Sequence, residues 1–142
     1  MKLQRTVETT ASPSAVFAYL GDFTTTTEWD PGTVETTRVS GDGGVGTTYH
    51  NVSRFLGRTT ELTYVVERHE PDRLLALRGE NKSVVAHDTM EIAPDGAGTR
   101  VTYTAEFDFK GLAGLVAPLL APALKKLGDE AENGLRSALG RL

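Results

Sequence analysis

The sequence contains no cysteine among its 142 residues. Disulfide frameworks, thiol nucleophiles, iron–sulfur clusters and cysteine-based zinc sites are therefore excluded. An excess of positive charge is also missing, because 15 Lys and Arg residues stand against 19 Asp and Glu, for a net charge of −4. Unaided nucleic-acid binding usually shows as a basic face, so we do not expect nucleic acid as a partner.

Long apolar runs are absent as well. No run approaches the roughly 20 residues that a membrane-spanning helix needs. The first ten residues, MKLQRTVETT, have no apolar signal-peptide core and begin directly with an alternating pattern. These absences predict a cytoplasmic protein without stable membrane insertion. The length predicts one domain over residues 1–142.

Alternation of polar and apolar residues dominates what the sequence does contain. It predicts a first strand over residues 2–10 and six more near 33–40, 46–56, 59–69, 72–80, 83–93 and 99–109. Glycine, proline and aspartate mark the turns between them. Connections of only a few residues join antiparallel neighbours, since a parallel crossover needs a dozen residues or more. We therefore expect a meander of six strands, with the first strand added at an edge.

Two short helices are expected between the first two strands. Ser12 can cap a helix N-terminus, and Pro13 suits the first helical position. Asp22 or Thr24 can cap a second short turn that leads to Trp29.

The C-terminal region predicts a long amphipathic helix, because apolar residues recur at helical spacing over Leu112–Leu139. Pro118 and Pro122 interrupt its first part, and an interior proline costs roughly 3 kcal/mol relative to Ala. We expect a kink or a short helix there, and hypothesise that Gly111–Pro122 is a hinge. The uncharged stretch before Leu124 either packs over the sheet, covers a cavity as a lid, or transiently touches a membrane or partner.

These elements predict an α+β fold. The economical packing lays the long C-terminal helix across one face of a strongly curved, seven-stranded antiparallel sheet. Several short motifs run along the chain in a fixed order: Ser12-Pro13, Glu28–Gly32, Gly44–Thr47, Arg54–Gly57, Leu62–Tyr64, Glu70–Leu74, Asp88-Thr89 and Gly98–Tyr103. Their order and spacing resemble the START-like, helix-grip superfamily, also called SRPBCC or polyketide cyclase/dehydrase-like.

The resemblance implies a deep apolar cavity between sheet and helix. It further implies a ligand among lipids, sterols, polyketides, hormones or other flat hydrophobic molecules. Members include carriers, ligand sensors and cyclases, and the resemblance does not choose among these roles.

Polar side chains on the inward strand faces are the informative site candidates. A buried polar group costs roughly 1–3 kcal/mol unless it is paired, so such groups pair with one another or line a pocket. The predicted ligand-binding residues are Trp29, Tyr49, Asn51, Tyr64, Leu77, Asp88, Met90, Tyr103, Leu115 and Leu119. The resemblance implies that Trp29 lies at the cavity mouth, and the alternative is that it packs the short helices onto the sheet.

Asp88 is the best single candidate for a catalytic residue. If it faces the cavity, desolvation should raise its pKa unless Asn51 or Tyr64 donates a hydrogen bond to it. His87 cannot form a dyad with Asp88, because neighbours on a strand point to opposite faces. The glycine pattern Gly41–Gly46 formally matches a dinucleotide motif, but a strand rather than a helix follows it. We expect no cofactor and no metal.

Binding is therefore the leading hypothesis: a carrier or sensor, monomeric or homodimeric, for a small hydrophobic ligand. The alternative is an enzyme of the polyketide cyclase or dehydratase type, with Asp88 and a tyrosine hydroxyl steering proton transfer. A third hypothesis is an interaction protein with a vestigial cavity.

Overall fold

The computed structural model describes all residues, 1–142. Strand β1 (Lys2–Thr9) is followed by helix α1 (Pro13–Leu20), a 3-10 turn (Phe23–Thr25) and helix α2 (Thr26–Trp29). Then come β2 (Thr33–Ser40), β3 (Thr48–Phe55), β4 (Arg58–Glu70), β5 (Leu74–Glu80), β6 (Val84–Asp95) and β7 (Gly98–Phe109). The chain ends with α3 (Leu112–Val116), a second 3-10 turn (Ala117–Leu120) and α4 (Ala121–Leu139).

All seven strands form one antiparallel sheet in the order β1-β7-β6-β5-β4-β3-β2. This order confirms the predicted meander with the first strand at an edge. The two tightest connections are two-residue turns, and in one of them, Leu56-Gly57, both residues have positive φ (53° and 76°). A turn of that kind matches the right-handed twist of the strands it joins. The hairpin is therefore closed by backbone geometry, although leucine is an unusual residue at such a position.

The helix starts are set by side-chain caps. The Ala15 N–H donates to Ser12 Oγ at 3.1 Å, and Pro13 occupies the first turn of α1. The Thr24 N–H donates to Asp22 Oδ1 at 3.1 Å, so Asp22 caps the 3-10 turn. These bonds satisfy backbone N–H groups that have no partner inside the helix.

Helix α4 crosses the inner face of the sheet, and its closest backbone contact lies near its C-terminal end. A Cβ on Gly134 would overlap the carbonyl oxygen of Trp29, so the backbones of α4 and α2 are in direct contact. Beyond this contact, Leu135 and Leu139 are buried in the main core with residues of α1 and the strands. Toward its N-terminus, Leu124 and Leu127 face an internal space instead.

The two prolines near α4 do not lie in the interior of a helix, which corrects one expectation. Pro118 lies in the first turn of the 3-10 segment, and Pro122 lies in the first turn of α4. The backbone N–H has no intrahelical acceptor at such positions, so a proline there costs little. The predicted break before the long helix is confirmed. The hinge hypothesis, however, loses the energetic cost that motivated it.

Candidate functional site

A cavity of about 320 Å³ lies between α4 and the inner face of the sheet. Hydrophobic side chains make up 16 of its 27 lining residues. Phe55, Ala113 and Leu120 line its outer end and are themselves half-exposed. An engineered apolar cavity of about 150 Å³ holds benzene. The space therefore suits one small molecule of about twice that size.

Three side chains from adjacent parts of the sheet form the polar inner part of this cavity. Asp88 lies on β6, and the Tyr103 hydroxyl of β7 donates to its Oδ1 at 3.3 Å. Tyr64 of β4 reaches the same place across Gly79. A Cβ on Gly79 would lie only 2.6 Å from a ring carbon of Tyr64, so glycine is needed for this tyrosine to lie flat.

Asn51 belongs to the cavity wall as part of a saturated polar row. Its Nδ2 donates to Thr36 Oγ1 at 2.9 Å, and its Oδ1 accepts from Ser53 at 2.7 Å. The Thr36 hydroxyl in turn lies 2.7 Å from that of Thr26. The amide of Asn51 is therefore compensated by protein groups, which removes the penalty of burying it.

The carboxyl group of Asp88 has a strongly perturbed pKa. Burial raises the pKa of Asp88 to about 7, although hydrogen bonds from Tyr64 and Tyr103 act in the opposite direction. Burial also raises the pKa of Tyr64 and Tyr103 well above the usual value, and the nearby Asp88 adds to this effect. Near neutral pH the two hydroxyls are hydrogen-bond donors, whereas Asp88 takes up or releases a proton.

Asp30 is a site residue that sequence reasoning missed, because the Asp-Pro-Gly sequence at 30–32 indicates only a turn before β2. It does make that turn: its Oδ1 accepts from the Gly32 N–H at 3.0 Å, and its Oδ2 accepts from the Thr33 hydroxyl at 3.1 Å. It also lines the cavity, and burial raises its pKa. Its position directly after Trp29, at the end of α2, was the available signal.

The cavity contains no free positive charge. Arg5 is the only basic side chain in its lining. Its guanidinium group contacts Asp129 at 2.9 Å and Glu132 at 3.5 Å, both on α4. The interior thus offers two carboxyl groups and several hydroxyls, with no cation left to bind an anionic ligand.

Trp29 lies at the inner end of the cavity rather than at its mouth, which corrects the position implied by the resemblance. It is 2% exposed, and its ring meets that of Tyr103 edge-on with centroids 5.5 Å apart. It also packs into the main core, as the alternative interpretation held. Its indole Nε1 is buried and has no hydrogen-bond partner.

Five other predicted lining residues are not in the cavity. Tyr49, Leu77 and Met90 are buried in the closed core beyond it, where Phe23 packs against the Tyr49 ring. Alternation correctly indicated that these side chains face inward. It could not show how much of each strand is covered by the short helices, which separates closed core from cavity. Leu115 and Leu119 are 77% and 79% exposed, because they lie on the outward side of α3 and of the turn after it, whereas Ala113 and Leu120 line the cavity.

Neither a metal centre nor a membrane span is found. No group of three or more His, Asp or Glu side chains comes together in a way that could hold a metal ion. No helix combines the length and the apolar character needed to cross a bilayer.

Comparison with protein families gives one match. A family model described as polyketide cyclase / dehydrase and lipid transport matches residues 1–140. Curated proteins give no significant match.

Solved structures share the fold at low sequence identity. The protein TTHA0849 from Thermus thermophilus is 16% identical, with a TM-score of 0.82 over 98% of this chain and 97% of its own. The Zhui aromatase/cyclase from Streptomyces sp. R1128 is 15% identical, with a TM-score of 0.82 over 98% of this chain and 93% of its own. A START superfamily protein from Mycobacterium smegmatis is 14% identical, with a TM-score of 0.73 over 96% of this chain and 98% of its own. At these identities the likeness establishes the fold alone.

The raised pKa of Asp88 predicts a pH-dependent stability. Between the ordinary value of 3.8 and about 7, the folded protein keeps a proton that the unfolded chain has lost. Stability should therefore fall as the pH rises through this window. Asp88→Asn cannot ionise, so its free energy of unfolding should exceed that of the wild type by roughly 4 kcal/mol at about pH 8, with little difference at about pH 4.

Urea unfolding at the two pH values measures this difference. Asp72→Asn, in an exposed turn, is the matched control and should follow the wild type at both. A variant at Asp88 that gains no stability at the higher pH would show that the carboxyl is not desolvated.

Proposed function

Because the chain belongs to the polyketide cyclase/dehydrase and lipid transport family, within the START-like superfamily that its motifs resemble, we propose that it binds a small hydrophobic molecule as a carrier or sensor. The observation that carries the proposal is the apolar cavity of about 320 Å³ with carboxyl and tyrosine hydroxyl groups at its inner end. Ligand pockets in proteins have this character: mainly apolar, with a few convergent polar groups that orient the ligand.

The polar side chains at the inner end of the cavity determine which chemical group the ligand needs at the end that enters first. Tyr64 and the protonated form of Asp88 can donate hydrogen bonds, and the ionised form of Asp88 can accept one. A hydroxyl or carbonyl on the ligand would satisfy them, while its apolar body would contact Phe107, Leu124 and their neighbours. Trp29 and Tyr103 would close the inner end, and Asn51 would form part of the side wall.

The charge of the lining narrows the ligand class further. The interior holds two carboxyl groups, and Arg5, the one basic side chain of the lining, is already paired. An anionic ligand would be buried beside Asp30 and Asp88 without a compensating cation, which is strongly unfavourable. We therefore propose a neutral ligand, and not a fatty acid anion or a phosphate.

An enzymatic alternative has its own supporting observation: Asp88 has a pKa of about 7 and lies beside the hydroxyl of Tyr103. A general base works best when its pKa is close to the working pH. The Asp88 carboxylate would take a proton from the carbon between a carbonyl and a hydroxyl-bearing carbon. A tyrosine hydroxyl would donate to the enolate oxygen as it forms. Asp88 would then give the proton it took from carbon to the leaving hydroxyl group, which would release water and a conjugated enone.

Blocking the cavity tests the binding proposal. Ala105 lines the cavity from β7 and is buried, so Ala105→Phe should lower affinity for the neutral dye N-phenyl-1-naphthylamine by about tenfold or more. Ala93→Phe, on the exposed face of β6, is the matched control and should bind like the wild type. Fluorescence titration measures both, and circular dichroism checks the fold.

The same assay tests the charge argument. The dye 8-anilinonaphthalene-1-sulfonate has the same rings with an added sulfonate, and we expect it to bind at least about tenfold more weakly. Equal affinity for both dyes would contradict the proposal of a neutral ligand. Equal affinity of the wild type and Ala105→Phe for the neutral dye would remove the cavity as the binding site.

An assay for dehydration of a β-hydroxy ketone with an aromatic end distinguishes the enzymatic alternative from the carrier proposal. If the alternative holds, enone absorbance should appear at a rate that rises with pH to a plateau above about pH 7. Asp88→Asn should abolish the reaction and still bind the neutral dye. Product formation no faster than in buffer would leave binding as the function.

A further inference from the structure

The outer end of the cavity carries an unusual apolar surface. Leu112, Leu115 and Leu119 are 82%, 77% and 79% exposed, and Val116 is 47% exposed. Together they form the outward side of α3 and the 3-10 turn after it. A contiguous exposed patch of large apolar side chains is uncommon on a monomeric protein and marks an interaction surface.

A second apolar point lies on the same mouth. Leu56, at the tip of the β3–β4 hairpin, is 63% exposed and has a positive φ. Its neighbour Phe55 lines the cavity, and so does Ala113 of α3. The hairpin tip and α3 therefore flank one opening.

The charges around this opening have the opposite sign from the protein as a whole. The mouth segments, residues 54–60, 80–84 and 108–126, hold six basic and two acidic residues, whereas the whole chain has a net charge of −4. The basic residues are Arg54, Arg58, Lys82, Lys110, Lys125 and Lys126. Lys110 is paired with Glu80, but Arg54, Arg58 and Lys82 make no ion pair.

Lys125 and Lys126 are also available to an external partner. Each is about three-quarters exposed, and their contacts with Asp129 and Glu130 are long, at 3.7 and 3.9 Å. Surface pairs of this kind contribute little and are readily exchanged. The apolar patch is thus bordered by cations on more than one side.

We propose that this surface docks on an anionic lipid bilayer, with the cavity mouth against the membrane. Leucines that enter the interface and cations that face anionic headgroups are the two features that hold a protein on such a surface. Docking itself does not depend on the proposed function, but its biological purpose does. A cavity mouth held against the membrane would let a neutral ligand pass between the hydrocarbon of the bilayer and the cavity. A second copy is a poorer occupant, since a symmetric dimer would bring the same cations together.

Co-sedimentation with lipid vesicles tests this, using phosphatidylcholine alone or mixed with phosphatidylglycerol. The wild type should bind the mixed vesicles, and binding should weaken as salt is added. The double variant Leu115→Glu/Leu119→Glu should bind about tenfold more weakly or worse. Arg58→Glu/Lys82→Glu should lose binding to a similar extent.

Matched controls come from the opposite end of the sheet. Register places Arg38 beside Tyr49, at the far end of β3 from Phe55, and Val39 next to it is 65% exposed. Arg38→Glu and Val39→Glu should bind vesicles like the wild type. Loss of binding in these controls, or no wild-type binding to either vesicle, would overturn the proposal.

Two further measurements separate this idea from its rivals. If sedimentation velocity shows a dimer that Leu115→Glu converts to a monomer, the patch is a self-association surface and the bilayer proposal fails. Dye binding is measured in the same variants. Vesicle binding without dye binding would support docking and refute the cavity function. Dye binding without vesicle binding would support the cavity function and refute docking.

Discussion

The contact between Gly134 and the carbonyl group of Trp29 is the constraint on which the rest of the structure depends. It leaves no room for a side chain, and so it brings α4 against α2 at one end of the sheet. Leu135 and Leu139 complete the core there. The other half of α4 spans the strands without such a contact, and its Leu124 and Leu127 leave a space between themselves and the sheet. Core and cavity are thus two ends of one helix–sheet packing arrangement.

This arrangement places polar groups whose burial lowers the stability of the fold beside the cavity. Asp88 is buried and Asp30 partly buried, both with raised pKa values, and the Trp29 indole N–H has no partner. A protein selected for stability alone would gain by replacing them with apolar residues. Buried polar groups with perturbed pKa values in a cavity are instead characteristic of functional sites. The same groups that lower stability as the pH rises are those available to a ligand.

The sequence predicted the strands well because each signal was local. Period-two alternation and turn residues located the strands, while Ser12 and Pro13 located α1. Position along a strand was harder to predict. Met90 shares a face with Asp88 but lies beyond the cavity, because α1 and Phe23 pack over that part of the sheet. Alternation along a strand carries no information about such tertiary packing. Leu115 followed the helical spacing, yet it is exposed because it lies on the outward side of α3.

The central claim is that a neutral ligand enters the cavity and reaches its polar inner end. Trp29 is the only tryptophan, so the 15N NMR spectrum of the protein contains a single indole N–H signal. Titration with 1-naphthol, a neutral aromatic molecule with one hydroxyl, should shift that signal and the amide signals of Tyr64 and Tyr103 along one saturable curve. An indole signal that stays in place at saturating 1-naphthol, with shifts confined to surface residues, would contradict the account.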